Sequence, residues 1–205
     1  MARIPTVTPN QFSAHEQVIV DRFLGARGKF PHEGPYSTML HIPEVALHVD
    51  TLRRFLRDEA SPPQKLQELV MITVAREMDC AYIWHAHSAA ARAIGVRGDI
   101  IDNLREKRAL SGLAADEQAA VDFTLELLRH RKVSQSTFDR ASACFGQRGM
   151  VVLTNLIACY AVLAYNMNAF EVKAPRYRRT CPACVISTFY YAASAVRAMH
   201  SMPSR

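Results

Sequence analysis

The sequence predicts an all-α fold, because its glycines and prolines leave long stretches free for helices. Eight glycines and ten prolines stand among 205 residues, with most of the prolines near the start or in short connectors. The stretches between them carry apolar residues at helical spacing and suit helices better than strands and hairpins. Since 49% of the residues are hydrophobic, the chain can bury a core, as one compact domain or as two small helical lobes.

The first helices are delimited by glycine and proline. Residues 11–24 form an amphipathic segment, and we expect Gly25 and Gly28 to end it. Residues 29–36 hold two prolines and a glycine, which predicts a surface loop of the kind that often covers a site. Pro43 suits the first turn of the next helix.

Two consecutive helices hold the most reactive side chains of the chain. The first follows the break at Pro62 and Pro63, and Ser61 is its expected N-cap. The second is expected to start at Asp79 and to end at Gly95 in a left-handed conformation. The candidate functional side chains on these helices are Glu68, Cys80, Tyr82, Trp84, His85 and His87.

Cys80 is predicted to lie in the first turn of the second helix. Unpaired N–H groups and the helix dipole stabilise an anion there, so we expect a lowered pKa for the thiol. Trp84 and His87 follow four and seven residues later, roughly on the same side. At 1.5 Å per residue, Cys80 and His87 lie on the order of 10 Å apart, so a substrate or water would have to sit between them.

The second half of the chain is also predicted to be helical. The expected helices span residues 96–104, 115–129, 134–144 and 147–174, and Pro175 marks the end of the last one. The most apolar stretch, residues 151–163, is shorter than the ~20 residues of a membrane span. A buried core helix explains it better, and we expect no membrane partner.

Charge and composition limit the partners and the compartment. The net charge of +6 comes from basic residues that are scattered, apart from those near residues 129–132 and 176–179. Nucleic-acid binding needs a basic stripe, so we expect no nucleic-acid partner. The N-terminus lacks the apolar run of a signal peptide, which predicts a cytoplasmic protein. Five cysteines in such a chain argue against a disulfide framework.

The spacing of the reactive residues resembles the carboxymuconolactone decarboxylase family, which also contains alkyl hydroperoxidase D. The matching positions are Glu68, Cys80, Tyr82, Trp84, His87, Ala91, Gly95 and Val96, with further likeness at residues 27–29, 40–45 and 165–168. The resemblance implies a helical bundle over residues 37–175, preceded by a helix and loop (1–36) and followed by a basic segment with a tail helix (176–205). It also implies an obligate homo-oligomer, a trimer or hexamer, with sites near the subunit contacts.

Ile83 departs from the peroxidase branch of that family. The peroxidase pattern has a second cysteine at this position, which would resolve a sulfenic acid on the first cysteine as a disulfide. With Ile83 there, no disulfide between neighbouring turns can form. The sequence is therefore more similar to the decarboxylase and uncharacterised branches.

The resemblance implies decarboxylation of a small carboxylated lactone or related acid without a cofactor. His87 would be the general acid or base, because imidazole titrates near neutral pH, and Glu68 would orient it. Tyr82 or His85 would hold a carboxylate or enolate oxygen of the substrate, and Trp84 and Ile83 would line the pocket. We expect Glu68 and His87 to meet at one solvent-reachable hollow with Cys80 nearby.

Other interpretations stay open. A thiol-dependent peroxidase would use Cys80 without a local resolving cysteine, and a non-catalytic scaffold would use none of these residues. Trp84 in the core and Cys80 as a small buried hydrophobe are structural alternatives. His85 and His87 point to different sides of a helix, so we expect no zinc site. Cys181 and Cys184 form a C-x-x-C pair, either incidental or a source of a resolving thiol.

Overall fold

The computed structural model describes residues 2–59 and 62–174, which form eight α-helices. The helices are α1 (Ala14–Arg27), α2 (Pro35–Met39), α3 (Pro43–Arg54), α4 (Gln64–Glu77), α5 (Ala81–Ala93), α6 (Gly98–Arg105), α7 (Ala115–His130) and α8 (Gln135–Ala169). A 3₁₀ turn precedes α1 at Pro9–Gln11, and a π-helical turn follows α3 at Phe55–Glu59. No strand occurs in the described ranges, which confirms the all-α prediction.

Helix α4 lies at the centre of the bundle and packs against α5, α7 and α8. All ten residues from Leu66 to Ala75 are buried, so the helix contacts protein on every side. Val70 faces the main core, which includes Phe23 of α1 and Leu156 of α8. Leu69 faces a second, smaller core. Any polar side chain on this part of α4 therefore lies deep inside the fold.

The predicted boundaries of the N-terminal elements need correction. Helix α1 continues through Gly25 to Arg27, and only Gly28, with a φ of 76°, ends it. A single glycine inside a helix costs about 1 kcal/mol at most, which tertiary packing easily offsets. The predicted loop over residues 29–36 is shorter than expected, because Pro35 opens α2.

The start of α4 also differs from the prediction. Its N-cap is Pro63, without a side-chain cap, whereas Ser61 lies outside the described residues. The side chain of Gln67 instead holds this end of the helix: its Nε2 donates to the carbonyl oxygens of Pro62 (3.0 Å) and Arg57 (3.2 Å). Helix α4 is therefore fixed to the π-helical turn that precedes it.

Helix α8 joins two segments that the sequence predicts as separate helices. They meet at Gly146, which has φ 62° and ψ 177°, a conformation that side-chain-bearing residues avoid. The helix ends at Ala169, five residues before the expected end at 174. The helix is long enough to cross a membrane, and its apolar window of 18 residues has a mean hydropathy of 1.7. Since 56% of that window is buried within the fold, it resembles a core helix.

The C-terminal predictions lie outside the described residues. They concern Pro175, the basic run at 176–179, the C-x-x-C pair Cys181 and Cys184, and the tail helix at 185–199.

Candidate active site

The connection between α4 and α5 fixes where the reactive residues of α5 begin. Asp79 has a φ of 50°, a left-handed conformation that Asp adopts more readily than most residues. Cys80, rather than the predicted Asp79, is the N-cap of α5, and its N–H donates to the Ala75 carbonyl oxygen at 2.8 Å. The Asn168 side chain at the end of α8 donates to the Met78 carbonyl oxygen at 2.7 Å. The turn is therefore held by α4 and by the C-terminal end of α8.

Glu68 on α4 and His87 on α5 meet as the sequence predicts. His87 Nδ1 lies 2.7 Å from Glu68 Oε2, although the residues are 19 positions apart. Glu68 is fully buried, and the His87 side chain is 11% exposed. A buried carboxylate needs charged or hydrogen-bonded partners to offset its lost hydration. We refer to these two residues as the Glu68–His87 pair.

Arg57 forms an ion pair with the other oxygen of the Glu68 carboxylate. Its Nη2 donates to Glu68 Oε1 at 3.1 Å, and its side chain is 10% exposed. The residue comes from the π-helical turn Phe55–Glu59, an irregular helical geometry that often occurs at functional sites. Sequence reasoning missed Arg57, because a proline break separates it from Glu68 and no periodic pattern connects them.

Tyr160 of α8 closes the site on the side of the imidazole. The His87 and Tyr160 rings pack edge to face, with centroids 5.2 Å apart and planes at 82°. Burial raises the pKa of the Tyr160 hydroxyl, so the phenol is neutral at physiological pH. Tyr160 was also missed, since an aromatic residue within an apolar helix is usually a core residue.

The pKa of the Cys80 thiol is raised, whereas the sequence predicts a lowered pKa. Burial raises its pKa, and the N–H groups of Ile83 and Tyr82 offset this only in part. The expected effect of the helix N-terminus is present, but desolvation outweighs it. A resting thiolate at Cys80 is therefore disfavoured.

A cavity of about 290 Å³ lies beside Cys80. Its lining residues are Ala75, Arg76, Asp79, Cys80, Ala81, Trp84 and Arg105. Neither Glu68 nor His87 belongs to this lining. The cavity beside the thiol is therefore not the single shared hollow that the sequence predicts.

The remaining candidate residues of α5 differ in their burial and contacts. Ile83 is buried in the main core, so the position of the missing cysteine is filled by packing. Trp84 is half-buried, packs against both cores and also lines the Cys80 cavity. His85 is half-buried. A Cβ atom at Gly34 would lie 2.7 Å from the Tyr82 hydroxyl oxygen, so the loop before α2 packs closely against the hydroxyl end of the Tyr82 ring.

A second buried carboxylate supports the helix that leads into the π-helical turn. Asp50 of α3 is 1% exposed and forms ion pairs with Arg27 (2.6 Å), Arg53 (3.2 Å) and Arg54 (3.1 Å). Burial alone would raise the pKa of Asp50, but the three arginines outweigh it and lower the pKa. Arg53 also donates to the Tyr36 hydroxyl at 3.1 Å. This cluster fixes the end of α3 just before Arg57.

The donor set does not suggest a metal centre. Within residues 2–59 and 62–174, no three His, Cys, Asp or Glu side chains come together as metal ligands would. The Glu68–His87 pair with Arg57 instead resembles a proton-transfer site.

The helical bundle has the alkyl hydroperoxidase D-like fold. The sequence model of the carboxymuconolactone decarboxylase family matches residues 43–126 of the chain. That range includes Glu68, Cys80 and His87, and it confirms the family resemblance. No curated protein matches the chain in sequence.

Solved structures share the fold at low sequence identity. An uncharacterised peroxidase-related protein with an alkylhydroperoxidase AhpD core, from Ralstonia eutropha JMP134, is 14% identical with a TM-score of 0.67, covering 85% of this chain and 93% of its own. A peroxidase-related protein from Silicibacter sp. TM1040 is 14% identical with a TM-score of 0.65, covering 85% and 92%.

The debrominase Bmp8 is also similar in structure. Its apo form is 14% identical with a TM-score of 0.62, covering 89% of this chain and 95% of its own. A cysteine-to-alanine variant of that enzyme is known in complex with 2,3,4-tribromopyrrole. At these identities the structural likeness establishes the fold and leaves the reaction open.

Proposed function

We propose that this protein is a cofactor-free acid–base enzyme that decarboxylates a small carboxylated lactone or a related acid. The observation that carries the proposal is the 2.7 Å contact between His87 Nδ1 and Glu68 Oε2. A carboxylate that binds one ring nitrogen orients the imidazole, the side chain most often used for general acid–base catalysis. His87 is the proposed general acid–base residue, and Glu68 is its positioning partner.

The proposed reaction exchanges one proton for one CO2. The substrate carboxylate loses CO2 and leaves its electron pair on a dienolate-like carbon framework. The His87 imidazolium then returns a proton to carbon, so each turnover consumes one proton and releases one CO2. Tyr82 and His85 remain the proposed contacts for a substrate oxygen, and Trp84 and Ile83 remain pocket candidates.

The test follows the absorbance of carboxylated lactones with the wild type and His87→Ala. General acid–base catalysis contributes about 10²- to 10⁴-fold to rate, so His87→Ala should lose activity on that scale. His48→Ala, at an exposed position of α3, is the control and should retain activity. Equal turnover by His87→Ala and wild type would remove His87 from the mechanism.

A second candidate is thiol-dependent reduction of a peroxide or another small electrophile by Cys80. The cavity of about 290 Å³ beside the thiol, walled by Trp84, favours it. In the peroxide reaction the Cys80 sulfur takes one peroxide oxygen to form a sulfenic acid, and an external thiol then reduces it. The raised pKa of Cys80 counts against a fast reaction at neutral pH.

Presenting the protein with lactone acids and hydroperoxides in parallel separates the two candidates. A sulfenic acid on Cys80, together with loss of peroxide consumption in Cys80→Ser, would favour the thiol reaction. If Glu68→Gln and His87→Ala leave every activity unchanged, the remaining interpretation is a scaffold that has kept the fold.

We also propose that the protein forms a homo-oligomer, a trimer or hexamer, and that it is cytoplasmic. Exposed apolar side chains on one side of α8 support self-association: Val151, Val162 and Tyr165 are 64%, 41% and 66% exposed and recur at helical spacing. Light scattering on the eluting protein should give a mass three or six times that of the 23.0 kDa chain. A monomer mass would contradict the proposal.

A further inference from the structure

The cavity beside Cys80 changes in character between its closed end and its open end. Cys80 and Ala75 are each 1% exposed, so the thiol stands at the closed end. The half-buried Trp84 forms one wall, and the exposed Arg105 lies at the edge that faces solvent. The cavity is therefore apolar in its depth and cationic at its mouth.

Cationic side chains outnumber carboxylates around this cavity. Within the described part of the chain, the lining holds one carboxylate, Asp79, and two guanidinium groups, Arg76 and Arg105. Asp79 pairs with Arg76, and the ammonium group of Lys107 lies 3.3 Å from the same carboxylate. These two cations already balance the Asp79 charge, so Arg105 adds a net positive potential at the mouth.

Contacts of the neighbouring residues keep Arg105 at this edge. Arg105 is the last residue of α6, and its carbonyl oxygen accepts a hydrogen bond from Arg76 Nε at 2.5 Å. The next carboxylate along the chain, Glu106, pairs with Arg108 at 2.7 Å. The backbone of Arg105 is therefore fixed beside the cavity, and the charge of Glu106 is balanced by another arginine.

We propose that the cavity beside Cys80 binds a small aryl carboxylate, with its ring against Trp84 and its carboxylate at Arg105. A guanidinium group presents a planar fork of donors that matches a carboxylate, and an indole ring packs well against another flat ring. The volume of about 290 Å³ is at the lower end of the roughly 300–1,000 Å³ of small-molecule sites, which favours a ligand with one ring. The short side chains of Ala75 and Ala81 leave this space open.

This site is separate from the Glu68–His87 pair, because neither of those residues belongs to the described lining of the cavity. The inference therefore goes beyond the proposed decarboxylation and does not rest on it. A ligand held at Arg105 with its ring against Trp84 also covers the approach to the Cys80 sulfur. Occupancy of the site should therefore shield the thiol.

Trp84 makes the test direct, because it is the single tryptophan of the chain. Titration of the full-length protein with benzoate should change the tryptophan fluorescence saturably. Benzamide, a neutral molecule of nearly the same shape, should bind more weakly. Arg105→Met should weaken benzoate binding about fivefold, the upper range for an exposed ion pair, and Arg105→Lys, which keeps the charge, should weaken it less.

Arg108→Met is the matched control, because it removes the same charge from an exposed residue that lies outside the lining. It should bind benzoate as the wild type does. A second readout is alkylation of Cys80 by iodoacetamide at pH 9. Benzoate should slow this reaction in the wild type and much less in Arg105→Met, while the exposed Cys144 should react at one rate throughout.

Three results would overturn the proposal: no saturable binding of benzoate by the wild type, equal affinities for benzoate and benzamide, or equal benzoate affinities of Arg105→Met and Arg108→Met. Because Arg105 and Arg108 are both exposed, both variants should fold. The lactone assay reads the Glu68–His87 pair, so its failure alone would remove the proposed reaction and leave this inference standing.

Discussion

His87 and Glu68, 19 residues apart in the chain, are joined inside the protein by a 2.7 Å contact between Nδ1 and Oε2. The contact lies between the two helices of the family-matched region that pack most closely on each other, α4 and α5. Arg57 contacts the opposite carboxylate oxygen. The site therefore combines a permanent cation, an anion and a titratable ring.

Replacing Glu68 by Gln should destabilise the fold. The substitution removes the charge that pairs with the buried Arg57 guanidinium, and breaking a buried ion pair costs about 3 kcal/mol or more. Urea unfolding should show a lower midpoint with an unchanged slope. Glu106→Gln, in an exposed pair with Arg108, is the control and should cost less than about 1 kcal/mol. Equal midpoints for the two variants would contradict a buried ion pair at Glu68.

Cys80 should react slowly with iodoacetamide at neutral pH. Burial raises its pKa, so little thiolate is present, and the rate should increase as the pH rises above the usual range for a thiol. Peptide mass spectrometry over time at pH 7.5 and pH 9 measures this. Among the three cysteines that the structure describes, the exposed Cys144 should be modified first, and Cys159, whose pKa burial raises to about 11, should be modified last. Modification of Cys80 before Cys144 at pH 7.5 would contradict the raised pKa.

Asp50 should contribute stability that acid removes. Its pKa is lowered in the folded protein, so its contribution is fully present above the unfolded-state pKa and is lost as the pH falls through the folded value. Asp50→Asn should therefore be destabilising by about 3 kcal/mol at pH 7, and the difference from wild type should shrink below about pH 4. Urea midpoints at several pH values measure both effects.

The control for Asp50 is Asp102→Asn. Asp102 pairs with Arg92 at the surface, where both side chains are about half exposed, and such pairs contribute about 0–1 kcal/mol. A pH-independent difference between Asp50→Asn and wild type would show that the carboxylate charge is not what matters.

Gly34→Ala should lower the melting temperature. Gly34 has a φ of 79°, and an added Cβ would lie 2.7 Å from the Tyr82 hydroxyl oxygen. Together these effects cost about 1–2 kcal/mol, or roughly 2–6 °C for a chain of this size. Gly25→Ala is the matched control, since Gly25 lies within α1 and has open space around it, so its melting temperature should rise slightly. Equal melting temperatures would mean that the loop moves freely away from Tyr82.

The long apolar helices were predictable because their signals are local. Pro43, Gly28 and Gly95 act within one turn of themselves, and the structure places helix ends at each of them. The prediction that Gly25 helps to end α1 was wrong for the same reason, since a local preference of about 1 kcal/mol yields to tertiary packing.

The site was only partly predictable. The spacing of Glu68 and His87 within a family pattern was enough to predict their contact. Arg57 and Tyr160 do not stand at recognisable spacings from these two residues. They contact the Glu68–His87 pair only because the π-helical turn and α8 pack near α4 and α5.

The sequence by itself determined the helical class, most of the longer helices and the residue types available for proton transfer, because periodicity and short-range preferences act along the chain. Only the tertiary structure decided the charges and the burial around Cys80 and His87. Burial raised the Cys80 pKa against the helix N-terminus, and the meeting of three distant segments placed Arg57 and Glu68 beside His87. Desolvation and pairing depend on neighbours in space, which the spacing of residues along a chain does not specify.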